Sequence, residues 1–467
     1  ALGSFAFEWA ASQALIVRGP AGHVLLESLP GKAFVSGFQG SADFHESRGM
    51  FFIKESREKN CQMQLLDRIE ATADRYVLAG MLLCDGAKAA YTLEFFPITP
   101  ERLGFQVTVS EPLNRAMLTL ASAADEGFFG FGEQFTYFNQ KGRLLPIFVM
   151  EQGIGRGAEP ITTGADLTAD AGGKWHTSYA GVPHFISSRM RSLFLENYEY
   201  SVFDMRPADH LGFYVLSPRM QGQVLAGTSP AELTRVYTEA TGRMRALPDW
   251  VHAGAIVGMQ GGTQKVQRVL SQLKEHKTPI AAFWLQDWVG QRKTTFGKQL
   301  WWNWQLDEQH YPGWAELGRS LDAQGIRIML YINPFLADIA EKGSTQRNLY
   351  QEALAAGCLI RKADGQPYLI LNTSFSAGLL DLSAPDCRSW IKDIIKTEMI
   401  ARGASGWMAD FGEALPMDSV LKNGDSATYH NRYPEEWAIV NREAIQEAGR
   451  GQDIVFFMRA GYTRSPA

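Results

Sequence analysis

The stretch GWMADFGE, Gly406 to Glu413, runs an apolar segment into one carboxylate, Asp410, and sets a second, Glu413, three residues on. A carboxylate delivered by an apolar strand can attack an electrophile, move a proton or cap the next helix. Glycoside hydrolysis needs two carboxyl groups about a sugar. In its retaining form they stand about 5 to 5.5 Å apart, and one is the nucleophile. Asp410 suits that nucleophile. Glu413 lies in the same loop and either faces the sugar or supports Asp410. Arg459 ends the apolar run DIVFFMR and could hold Asp410 ionised or bind a sugar hydroxyl.

A second chemistry-bearing segment is QDWVGQRKTTFGKQLWWNW, Gln286 to Trp304. It combines Gln286, Asp287, Gln291, Arg292, Lys293, Lys298 and Gln299 with four tryptophans. Indole faces stack on the apolar face of a sugar ring, and the amides and cations supply donors. The segment reads as a binding wall or as a folded lid over a tryptophan cluster.

The elements that must position these residues change type along the chain. GFQVTVS (Gly104 to Ser110) alternates Phe105, Val107 and Val109 against polar neighbours, as a half-buried strand does. Apolar runs flank Gly19-Pro20-Ala21-Gly22 and Asp85-Gly86, which predicts hairpins. Helical periodicity is scarce before about residue 230. Residues 1–248 are expected to form a β-sandwich domain.

Beyond LPDWVHAG, strands alternate with helices. AGAIVGMQ is expected as a buried strand, followed by a helix capped by Thr263, with Val266, Val269, Leu270 and Leu273 on one face. IAAFWLQD, IRIMLYIN, GWMAD and DIVFFMR follow as strands, separated by helices that close at Gly325, Gly403 and Gly449. Each strand ends in a polar group: Gln260, Gln286-Asp287, Asn333, Asp410 and Arg459. In a (β/α)8 TIM-type barrel that edge is the active-site face. A doubly wound sheet competes, but GMQGGT lacks the GxGxxG spacing of its phosphate loop. The expected fold class is thus α/β plus all-β, with residues 249–467 holding about five strands of an incomplete barrel.

Composition bounds the partners. The 467 residues carry a net charge of −5, which argues against nucleic acid. No apolar run reaches the ~18 residues of a membrane helix, and the N-terminal residues lack the basic region of a signal peptide. The four cysteines, Cys61, Cys84, Cys358 and Cys387, are widely spaced without a CxxC, so reduced thiols in a cytoplasmic protein are expected, with neither zinc site nor disulfides. A homo-oligomer stays open.

The motifs together resemble glycoside hydrolase family 31, retaining α-glycosidases. GWMADFGE is similar to the family's nucleophile signature, FFGFGEQF to a signature of its N-terminal region, and AGY after Arg459 fits the strand beyond the nucleophile. GMQGGT, QDWVG, TTFGK, WNW, YINP, GWMADFGE and FFMRAG run in the order found in that family's bacterial sulfoquinovosidase subgroup, whose α-glycoside substrates carry 6-deoxy-6-sulfoglucose.

The resemblance implies Asp410 as nucleophile and Gln260, Gln286 and Trp302 lining the sulfonate end of the sugar pocket, with no metal or cofactor. Asp287, Gln299, Trp407 and Arg459 complete the expected substrate-binding set. Gln299 stands where the subgroup carries a sulfonate-binding arginine. A neutral α-glucoside or α-xyloside is therefore the alternative substrate. The general acid/base Asp is expected beyond Ala467, so the chain is expected to be a fragment. A non-catalytic sugar-binding relative is the third reading.

Overall fold

The structure is a computed structural model that describes residues 2–465 apart from Gln13, Asp85, Phe296, Ser344, Thr345 and Thr373. Two antiparallel sheets account for most of the first half. One has six strands, from Leu144–Ile147 at one edge to Met50–Cys61 at the other. The other has eight, from Phe128–Gly132 to Met63–Ala71. Strand Arg102–Val109 buries Phe105, Val107 and Val109, as their alternation required. Those residues share one core with Leu118, Phe203 and Phe213 from the six-stranded sheet, so the two sheets pack face to face. The turn Gly19 to Gly22 joins strands Leu15–Arg18 and Val24–Glu27 as expected. Asp85 of the second expected hairpin lies outside the described residues, though the strands on either side of it pair.

The second half builds one parallel sheet. Its strands are Ala255–Met259, Ile280–Leu285, Arg327–Ile332, Ala404–Ala409 and Val455–Met458, paired strictly in chain order. A doubly wound sheet reverses its order at a switch point; this one does not, which favours the barrel path. The two middle strands RIMLYI and ASGWMA are almost wholly buried, as strands covered on both faces must be.

The first strand departs from expectation. It is largely exposed, with Ile256 at 38%, because it has a neighbour on one side only. Thr263 also does not cap its helix. The helix Gly262–Glu275 starts two residues earlier, after Gly261, and the Thr263 hydroxyl donates to Pro312 O at 2.8 Å. The helix preceding the fourth strand, Pro385–Ile394, runs on into a π-helical turn, Ile395–Ile400. Two features of the connections had no periodic signal: the hairpin of Gln291–Thr294 with Gly297–Leu300, and the small sheet containing Leu369–Asn372 and Phe375–Leu379.

The expectation of reduced cysteines is overturned. Cys61 and Cys84 form a disulfide that joins the ends of two strands from opposite sheets of the sandwich. Cys358 and Cys387 form a second, with Cα atoms 5.2 Å apart. Sequence spacing gave no hint, because each pair meets only through tertiary packing. No helix among the described residues is long and apolar enough to cross a membrane.

Candidate active site

All five polar strand ends lie at the C-terminal edge of the parallel sheet, and Asp410 is the centre of one cluster there. Its backbone N–H bonds Ile332 O at 2.8 Å, which fixes it against the neighbouring strand. Phe411 and Gly412 then take positive φ angles of 59° and 117°. A Cβ on Gly412 would stand 3.3 Å from Pro434. This tight reversal returns Glu413 to the same cluster.

Arg459, ending the adjacent strand, is the hub. Its Nε lies 3.3 Å from Asp410 Oδ1, and its Nη2 is ion-paired with Glu413 Oε1 and sits 3.8 Å from Glu151 Oε2. Phe411 stacks on the guanidinium at 3.8 Å. The Nε contact to Asp410 lacks hydrogen-bond alignment, so Oδ1 is buried without a hydrogen bond. Oδ2 is held differently: the Tyr331 hydroxyl donates to it at 2.5 Å, and Asn333 Nδ2 donates to that hydroxyl at 3.2 Å. One oxygen of Asp410 is thus anchored and the other faces only a charge.

Burial pushes the Glu413 carboxyl up to about 7, against the pull of Arg459; the charges of Glu151 and Asp410 push the same way as burial. Burial works against the Arg459 cation, but Glu413 and Asp410 outweigh it and raise its pKa. Burial, then the Asp410 charge, raises the Tyr331 phenol, so it stays a donor. Glu413 is fully buried against Arg459. That geometry makes it a support for the cluster rather than a group facing a sugar.

The binding wall is a second network. Gln260 Nε2 donates to Gln286 Oε1 at 3.0 Å, and Gln291 Nε2 donates to Gln260 Oε1 at 2.8 Å. Trp302 packs on Phe335 and Phe375 and meets Phe411 edge-on at 5.3 Å, which joins this wall to the Asp410 cluster. Gln299 lies on the hairpin, where its Oε1 accepts from Ser374 Oγ at 3.0 Å.

Two of the expected binding residues are buried and held by internal partners. Asp287 is fully buried, and its carboxylate accepts from Gly261 N–H, Gln291 and Tyr311 and contacts His310 Nε2. Three of these contacts fall on Oδ2 and one on Oδ1. Trp407 is also fully buried, with its indole N–H on Asn441 Oδ1 at 2.8 Å. Alternation along its strand turns it away from the face that its neighbours would suggest.

Sequence reasoning missed Tyr331, Glu151 and Tyr179. The Tyr331 phenol in the apolar run IRIMLYIN was a usable signal, since a buried phenol needs a partner. Glu151 and Tyr179 gave none. They come from the antiparallel half, and the Tyr179 hydroxyl donates to Glu151 Oε1 at 2.5 Å beside Arg459. Among the described residues, the one cluster of potential metal ligands is Cys358, Asp386 and Cys387, whose two sulfurs are joined in the disulfide. A cleft of about 1000 Å³ is lined by Trp9, Met63 and Leu66 among others, and by none of the residues above.

The profile of the glycosyl hydrolases family 31 TIM-barrel domain matches residues 245–465. The structure of a family 31 sulfoquinovosidase from E. rectale, bound to an aza-sugar inhibitor, superposes with a TM-score of 0.89 at 30% identity, covering 99% of this chain and 67% of that one. The chain belongs to glycoside hydrolase family 31. This family 31 chain is also similar to curated sulfoquinovosidases. It is 33% identical to that of Escherichia coli K12 over 91% of its own length and 62% of the relative's. The Agrobacterium fabrum protein is 36% identical over 76% and 53% respectively. The chain thus spans roughly half to six tenths of the curated relatives it matches.

Proposed function

We propose that this chain forms the nucleophile-bearing part of a retaining α-glycoside hydrolase of the sulfoquinovosidase type. The observation that carries the reading is the asymmetry of Asp410. Tyr331 fixes Oδ2, while Oδ1 is unbonded and opposed by Arg459. In the first step Oδ1 attacks the anomeric carbon as the bond to the leaving oxygen breaks, and an acid protonates that oxygen. Water, losing its proton to the conjugate base of that acid, then displaces Asp410, and two inversions give net retention. Arg459 places its positive charge 3.3 Å from the attacking oxygen. Glu413 cannot be the acid while it is buried on Arg459. We assign the acid to the portion of the family fold that lies outside residues 1–467, together with the remaining barrel strands. Residues 1–248 and 249–467 serve in this reading as sandwich domain and catalytic barrel.

The relatives support a sulfonated sugar, and Gln260, Gln286 and Trp302 offer donors for it. Gln299 favours the second reading, a neutral α-glucoside or α-xyloside, because it contributes no charge. Hydrolysis of 4-nitrophenyl α-sulfoquinovoside set against 4-nitrophenyl α-glucoside by the intact protein decides between them. A preference for the glucoside rejects the sulfonate. Asp410→Ala should lose at least about 10⁴-fold in kcat, with azide restoring turnover as a glycosyl azide. An Asp410→Ala protein with full activity removes the nucleophile assignment.

A cytoplasmic location rested on reduced thiols, and the disulfide pairing removes that ground. Two disulfides fit an oxidising compartment.

A further inference from the structure

The hairpin beside the binding wall holds a guanidinium with two buried, unbonded donors. Arg292 lies on the same face as Gln299, directly across the two strands. Its guanidinium carbon stands 3.5 Å over Phe375 and 4.7 Å from the Trp301 ring. Phe375 in turn meets Trp302 edge-on at 4.8 Å, and the preceding residue, Gln291, is bonded to Gln260. The guanidinium is therefore one aromatic ring away from the pocket wall.

Both Nε and Nη2 of Arg292 are buried and have no hydrogen-bond partner among the described residues. Those two atoms form one edge of the guanidinium, the side-on fork that meets two oxygens of an oxyanion at once. Leaving two charged donors buried and unpaired is costly, and native proteins rarely do so without a ligand. Burial lowers the Arg292 pKa to about 10, with Glu341 as the opposing influence, so the group is still a cation at neutral pH. Glu341 is not within ion-pair distance. The other cations of the hairpin, Lys293 and Lys298, stand opposite each other in the strand register and are exposed to solvent.

We infer that Arg292 is the specificity-determining cation of this chain, binding the anionic substituent of the glycoside through its Nε–Nη2 edge. Gln299, held by Ser374, leaves the charge to its cross-strand neighbour. Directly opposed residues stand only about 5 Å apart, within the reach of an arginine side chain. The inference rests on the proposal of a sulfonated substrate.

The test measures kcat/KM of the intact protein and of Arg292→Gln for 4-nitrophenyl α-sulfoquinovoside and 4-nitrophenyl α-glucoside. The ratio of sulfonated over neutral substrate should fall about 100-fold in the variant, the loss of a charge-assisted pair of hydrogen bonds. The change should sit mainly in KM. Arg292→Lys keeps the charge without the fork and should fall in between. It also stands in should the glutamine variant fail to fold. Equal losses on both substrates, or a lowered melting temperature with the ratio unchanged, overturn the inference and make Arg292 a packing residue between two rings. A wild-type preference for the glucoside instead overturns the sulfonate reading itself.

Discussion

Tyr331 and Asp410 stand on neighbouring parallel strands, and the phenol of one donates to Oδ2 of the other at 2.5 Å. This bond turns a freely rotating carboxylate into one with a fixed attacking oxygen. Tyr331→Phe should lower kcat about 10- to 100-fold, the size of one hydrogen bond to a charged group. Steady-state kinetics on an activated aryl glycoside read it. A variant with unchanged kcat would mean that Arg459 alone orients Asp410.

Arg459 balances three carboxylates, Asp410, Glu413 and Glu151. Arg459→Met would leave them facing one another in a buried site. Removing one partner of such a cluster costs about 3–5 kcal/mol, so a large drop in urea midpoint is expected as well as loss of activity. A stable but inactive variant would show that the carboxylates take up protons instead.

Glu413 gives the stability a defined pH dependence. Its folded pKa of about 7 lies above the ~4.3 of an unfolded glutamate. Between those values the folded protein binds more protons than the unfolded chain, so this group makes stability fall as pH rises through the window. The destabilisation is absent below it and complete above about 7, on the order of 3 kcal/mol. Urea unfolding from pH 4.5 to 8 should therefore show a flatter curve for Glu413→Gln than for the wild type. Superimposable slopes would show that Glu413 stays ionised throughout.

The disulfides predict a thiol count. Ellman titration of the denatured, unreduced protein should find no free thiol, and four after reduction. With sequence separations of 23 and 29 residues, each bridge should contribute about 3–4 kcal/mol. Four thiols before reduction would return the protein to a reducing compartment.

Trp407→Phe tests the reassignment of that residue. It breaks the buried bond to Asn441 and should lower stability by about 1–3 kcal/mol with KM unchanged. A KM effect without loss of stability would place the indole back in the pocket.

Residues whose signal is local were legible in the sequence. The apolar runs ending in Gln260, Gln286, Asn333, Asp410 and Arg459 became the five parallel strand ends, because strand period and burial are properties of a few consecutive residues. Asp410 and Arg459 were paired correctly for the same reason, as ends of adjacent strands. The internal partners of Asp287 and Trp407 were not legible, because local sequence does not say how many distant neighbours will claim a side chain. Asp287 is claimed by four. The cysteine pairs and Glu151 depend on contacts between distant segments, and no spacing rule reaches that far.

Glu151 is only the visible tip of a longer seam. Val149 N–H donates to Asn431 Oδ1, and Val149 O meets His430 Nε2, contacts 282 and 281 residues apart in the chain. Phe148 stacks on His430 at 3.9 Å, and the Tyr462 hydroxyl reaches Asn197 O. The contacts of Glu151 and Tyr179 with Arg459 therefore exist only after the two halves have docked. Contacts this far apart in the chain carry the largest loop-closure cost, so during refolding Glu151 and Tyr179 should join the Arg459 cluster after both sheets have formed. Without residues 1–248 the surroundings of Asp410 would lack Glu151 and Tyr179.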